Sequence, residues 1–139
     1  MRKQLFAYVK KKYHAEPEHL WSRYPDYAIF RHADNKKWFG LVMDIPRSKL
    51  GLDGEDVVDI LNVKLPDPRL ADLLVQEPGY FRGYHISRGN WVSILLDGSV
   101  PFEDVCRWLA ESYAATASKE TKQKLRPLKE RPKAKETAE

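Results

Sequence analysis

The sequence predicts an α+β fold, a two-layer sandwich in which helices pack on one face of an antiparallel sheet. Three observations predict it. The two ends of the domain and one middle segment carry apolar residues at helical spacing, five runs have strand length and strand patterning, and Pro, Gly, Asn and Asp punctuate the gaps. A chain of 139 residues that is 42% apolar can bury a core as one domain without a metal or a disulfide.

The elements follow in order. Leu5, Tyr8 and Val9 share one face of an N-terminal helix, with Lys3, Lys10 and Lys11 opposite and Lys12 snorkelling from the apolar side. Pro17 and Pro25 bracket an irregular stretch with a short helical turn around Leu20 and Trp21. Residues 27–33 and 38–45 form a hairpin across Asp34-Asn35-Lys36-Lys37, residues that tolerate positive φ. Phe39, Leu41, Met43 and Ile45 alternate and predict one apolar face for the second strand. Residues 47–56 read as a loop and 57–65 as a third strand, with Asp59 out of character in its apolar phase.

Asp67 is placed to N-cap a second helix that starts at Pro68, buries Leu70, Leu73 and Leu74, and stops at Pro78-Gly79. Residues 80–87 and 91–96 form a second hairpin around Arg88-Gly89. A two-residue turn there sets 86 opposite 91 and puts Arg82, Tyr84, Ile86 and Trp91 on one face. Phe102, Val105, Cys106, Leu109 and Tyr113 make the stripe of a last helix, with Glu103 and Asp104 suited to its first turn. The domain is expected to span residues 1–117, and residues 118–139 to form a basic, disordered tail.

Charge weakens the case for a basic groove. The tail carries eight Lys/Arg and four Asp/Glu, which accounts for the whole net charge of +4, while residues 1–117 carry sixteen of each sign. Cys106 is the only cysteine, so no internal disulfide forms, and its setting among Val105 and Leu109 predicts an inert thiol. The apolar run at residues 5–9 is too short for a signal core, and a cytoplasmic protein without a membrane partner is expected. No metal and no cofactor is expected. The four histidines lack ligand spacing, the glycines make no phosphate loop, no nucleophile elbow occurs, and the acidic residues of 53–59 lack the spacing of a calcium loop. An enzyme is therefore not expected.

The segment GYHISRGNWVSILLDGSVP, followed by a helix ending in SYAATA, resembles the MmcQ/YjbR family. KKWFGLVM is similar to that family's second strand, VVDILNVKLPDP to its third, and the likeness covers residues 3–117. The resemblance implies an α-β3-α-β2-α sandwich with five strands, related in shape to secretion chaperones. It also implies a DNA-binding role suggested by likeness to a double-wing domain. By position, Arg88 is the basic residue before the tryptophan strand and Lys64 the strand-end lysine. Asn90 stands where many members have His or Arg, and the connection at 47–59 is longer.

Two partner readings stand. In the first, Lys36, Lys37 and Arg88 at hairpin tips, with Lys64 and Arg82, contact DNA phosphates while Tyr84 or Trp91 stacks and Asn90 assists. In the second, a protein partner docks on the open sheet face and the 47–56 loop. Tyr84, Ile86 and Trp91 also read as plain cross-strand packing neighbours.

Overall fold

A computed structural model of the chain describes residues 1–86 and 89–125. The order is α1 (Arg2–Tyr13), β1 (Ala28–Arg31), β2 (Trp38–Pro46), a 3-10 turn (Arg47–Leu50), β3 (Val57–Lys64), α2 (Pro68–Leu74), β4 (Tyr80–Arg82), β5 (Trp91–Leu95) and α3 (Phe102–Thr116). The strands form one antiparallel sheet in the order β1-β2-β3-β5-β4. This is the α+β architecture the residue pattern predicts.

All three helices bury their stripes against one face. Leu5 and Val9 of α1, Ala71 and Leu74 of α2, and Val105 and Leu109 of α3 meet Phe30, Val42, Leu61, Val63, Val92 and Ile94 in one core. Each large aliphatic side chain buried there contributes roughly 1.5–3 kcal/mol. Asp59, the misfit in β3, faces the helix layer and takes the guanidinium of Arg2 at 2.7 Å. Asp67 caps α2 by accepting from the Arg69 backbone N–H, and Lys12 lies over the rings of Tyr8 and Tyr13.

Several details depart from the residue pattern. The ladder between β1 and β2 pairs Phe30 with Gly40 but Arg31 with Trp38, so β2 carries a one-residue bulge at Phe39-Gly40. The bulge inverts the phase of the strand. Phe39 packs in the helix-side core, whereas Leu41, Met43 and Ile45 lie on the other face, so the four do not share one side. In α2 the buried partner of Leu74 is Ala71, and Leu73 is exposed, because a seven-residue helix sets only one face on the core. Around Leu20 and Trp21 the chain makes one hydrogen-bonded turn at residues 21–24 and no helix. Glu18 instead bridges Ile29, and the Tyr24 N–H bonds the Trp21 carbonyl. The 47–56 connection opens with the 3-10 turn. Past α3, residues 119–125 are helical rather than disordered, with Ser118 capping the Thr121 N–H and donating to Asp34 at 2.6 Å.

The bulge is pinned from the helix layer. Ser112 of α3 donates to the Phe39 carbonyl at 2.8 Å and accepts from the Lys64 N–H at 2.9 Å. Next to it His32 is buried between the rings of Phe39 and Tyr113. The Thr116 hydroxyl already donates to the Ser112 carbonyl, so it accepts the His32 Nε2–H at 2.9 Å, which places a ring proton on Nε2. Burial pushes the His32 pKa below its ordinary 6.5, and the Asp34 carboxylate only partly offsets this. The unfolded chain then binds the extra proton first. Stability present above that pH is lost as pH falls through and below it, by at most about 1.4 kcal/mol per unit. Urea unfolding at neutral pH and at pH 5 should register the loss, and His32→Gln should shrink it. An equal loss in the variant would assign the acid sensitivity elsewhere.

Candidate nucleic-acid interface

Antiparallel registers bring several of the predicted site residues to one end of the sheet. Lys36 and Lys37 are exposed in the β1–β2 turn, where Lys36 takes a φ of 65° and so closes a tight reversal. Lys64 ends β3 and pairs with Trp91, the first residue of β5. Both side chains of that pair are half-buried. They lie on the face away from the helices, in phase with Asn62 and Ser93.

The other predicted residues have different duties. Arg82 pairs with Val92, so it projects toward the helix layer and not beside Trp91. There it meets Asp72 of α2 at 2.7 Å. Its charge is therefore matched at close range. Asn90 donates to the Leu65 carbonyl at 2.9 Å, and its own carbonyl accepts from the Leu65 N–H at 2.7 Å, which clamps the end of β3. Arg88 lies outside the described residues.

Tyr84 is not on a projecting wing. The β4–β5 ladder has Phe81 opposite Ser93 and ends at Arg82, so the connection is longer than two residues and the inferred register fails. After Gly83 the chain folds back over the sheet. The Tyr84 N–H donates to the Ser93 hydroxyl at 2.9 Å, and that hydroxyl donates to the Asn62 side-chain oxygen. His85 takes a φ of 60°, which turns Tyr84 and Ile86 onto the sheet and leaves the imidazole exposed.

The face away from the helices holds a cleft that residue patterns did not single out. Trp21, Tyr24, Tyr27, Trp38, His85 and Ile86 line it over a floor of Leu41 and Met43, enclosing about 260 Å³. Trp21 stands edge-to-face between Tyr27 and Trp38, each ring centroid 5.8 Å away. Tyr24 stacks on Tyr27 at 4.6 Å and is half exposed. The β2 bulge is what aims Trp38 here, since an unbroken ladder would send it toward the helices. The only legible trace was the density of Trp and Tyr in residues 21–38.

Two further properties bear on chemistry. Cys106 is half-buried on α3, and burial pushes its thiol pKa up despite the hydrogen bond from Tyr8 and the charge of Lys12. Among the described residues no three His, Cys, Asp or Glu side chains gather as metal ligands, and no helix is long and apolar enough to cross a membrane.

The profile of the YjbR family matches residues 10–115. The uncharacterised protein YyaQ of Bacillus subtilis is 40% identical over 115 residues, which is 83% of this chain and 97% of that protein. A crystal structure of a Pseudomonas syringae protein superposes with a TM-score of 0.81 at 38% identity, covering 84% of this chain and 99% of that one. A Deinococcus radiodurans protein of known structure is 21% identical over 86% of this chain and 80% of its own, and at a TM-score of 0.64 it shares the fold.

Proposed function

This chain belongs to the YjbR family, and from that premise we propose that it is a non-catalytic, cytoplasmic DNA-binding module that grips phosphates with the lysines at one end of its sheet. The observation that supports the reading is the convergence of Lys36, Lys37 and Lys64 beside Trp91 at that end. Ammonium groups on a turn and on a neighbouring strand end track a phosphate backbone without reading sequence, and an indole next to one of them offers a surface for stacking. Arg82 and Asn90 are structural in this reading, Arg82 through Asp72 and Asn90 through Leu65.

Fluorescence anisotropy of a labelled duplex tests it. Three phosphate contacts predict an affinity that drops roughly 40-fold between 50 and 200 mM salt. Lys64→Ala should lower the slope of log affinity against log salt by about 0.9. A chain ending at residue 125 keeps the Ser118–Asp34 contact and removes five of the eight tail Lys/Arg and half of the tail's net charge. Binding by that chain, weakened by Lys36→Ala, supports the sheet-end site. Binding that needs the full tail, or none at low salt, overturns it.

A further inference from the structure

The open-face cleft adjoins a second, polar chamber of about 390 Å³, and the two share Tyr24, Tyr27 and His85 as a common wall. Arg23 and Lys49, both exposed, line this second chamber with Asp44. One compartment is therefore aromatic and apolar, and its neighbour is lined by two cations. Joined across their common wall, the two chambers reach the size of small-ligand sites, which run from roughly 300 to 1,000 Å³.

From this juxtaposition we infer that the cleft binds a nucleobase carrying a phosphate, either a free nucleotide or one unstacked residue of a single strand. The inference stands apart from the sheet-end reading and uses none of its lysines. Walls at right angles let a flat ring lie against one indole while its edge meets the next, which suits a heteroaromatic base better than an aliphatic chain. Arg23 and Lys49 answer the charge of a phosphate.

Two constructional features set this cleft apart from leftover space on a sheet. A bulge re-aims Trp38 into it, and a left-handed residue places His85 at its lip. Both are local departures from regular backbone of the sort that gathers at binding sites. The base ring would displace water from Leu41 and Met43, which are nearly buried already and form an apolar floor.

The test is an NMR titration of the full chain, following the indole signals of Trp21 and Trp38 and the amide of His85. Adenosine 5′-monophosphate, adenosine and a single-stranded oligoadenylate are added in separate arms. The monophosphate should shift all three signals and bind about tenfold more tightly than adenosine, the effect of one charge-assisted contact. Replacing Arg23 and Lys49 together by alanine, both exposed and harmless to the core, should bring the monophosphate down to the adenosine level. Trp38→Leu should abolish both. An oligonucleotide that shifts the same signals at lower concentration identifies the strand residue as the source, and preference for the mononucleotide identifies the free ligand. Silence of the Trp21 and Trp38 indoles in all arms, or equal binding of adenosine and its monophosphate, overturns the inference. Since Lys36, Lys37 and Lys64 are untouched, its failure leaves duplex binding at the sheet end unaffected, and the reverse also holds.

Discussion

Phe39→Ala is expected to destabilise the protein by about 3–5 kcal/mol, the range for removing a fully buried aromatic ring. The ring sits at the crossing of both layers, 4.9 Å from Tyr113, 5.1 Å from His32 and 5.5 Å from Tyr13 by centroid. Those three side chains come from α3, the end of β1 and the end of α1, so one truncation loosens three joints. The cavity cannot close easily, because the Phe39 carbonyl is held by Ser112 and the Lys64 amide by the same hydroxyl. Urea unfolding should show a lower midpoint at an unchanged slope. A loss under about 1 kcal/mol would mean that the bulge collapses onto the regular ladder and fills the space. A flat indole spectrum for Trp38 in that variant would argue against such a collapse.

Gly83→Ala should cost about 2–3 kcal/mol, and its damage should be local. A Cβ at this position would sit 2.1 Å from the Ile86 carbonyl oxygen and 3.0 Å from the Trp91 Cβ. Backbone cannot yield as a side-chain tip does, so the fold-back over the sheet must lift. The Tyr84 N–H then leaves the Ser93 hydroxyl, whose partner Asn62 is wholly buried. Hydrogen exchange should speed at Tyr84 and Ile86 while Leu61 and Val92 stay protected. Uniform exposure of the whole sheet would instead mean that this segment folds as one unit with the core.

Local grammar carried most of the architecture. The Asp67-Pro68 start of α2, the Asp34–Lys37 turn and the α3 stripe are decided by residues within a few positions of one another, so they were legible. The α3 stripe still hid Ser112 and Thr116, which are buried for their hydrogen bonds and not for hydrophobicity. The β2 bulge was invisible, because a period of two assumes a constant phase and nothing in WFGLVM marks where it slips. The second hairpin failed for a related reason. Arg88-Gly89 resembled a tight turn, yet the ladder had already ended at Arg82, six residues earlier. At the candidate interface, lysine positions followed from strand ends, but whether a charge is answered depends on a neighbour such as Asp72, which is remote in pairing logic. The aromatic cleft draws on three separate segments, residues 21–27, 38–43 and 85–86, and only the fold assembles it.

The bond from Ser118 to Asp34 ties the end of the domain to the β1–β2 turn, two residues from Lys36. Lys119, Lys122 and Lys124, which follow Ser118, thus lie at the same end of the sheet as the exposed turn lysines. For an anionic strand arriving there, a second contact is intramolecular, and its strength is set by local concentration and not by the concentration of protein in solution. A domain that is neutral when its charges are counted over residues 1–117 then gains three lysines and one glutamate of residues 118–125 at one pole. For the proposed DNA contact, Ser118→Ala would weaken this tie, leaving the Thr121 hydroxyl on Asp34, and lower avidity without removing a positive charge.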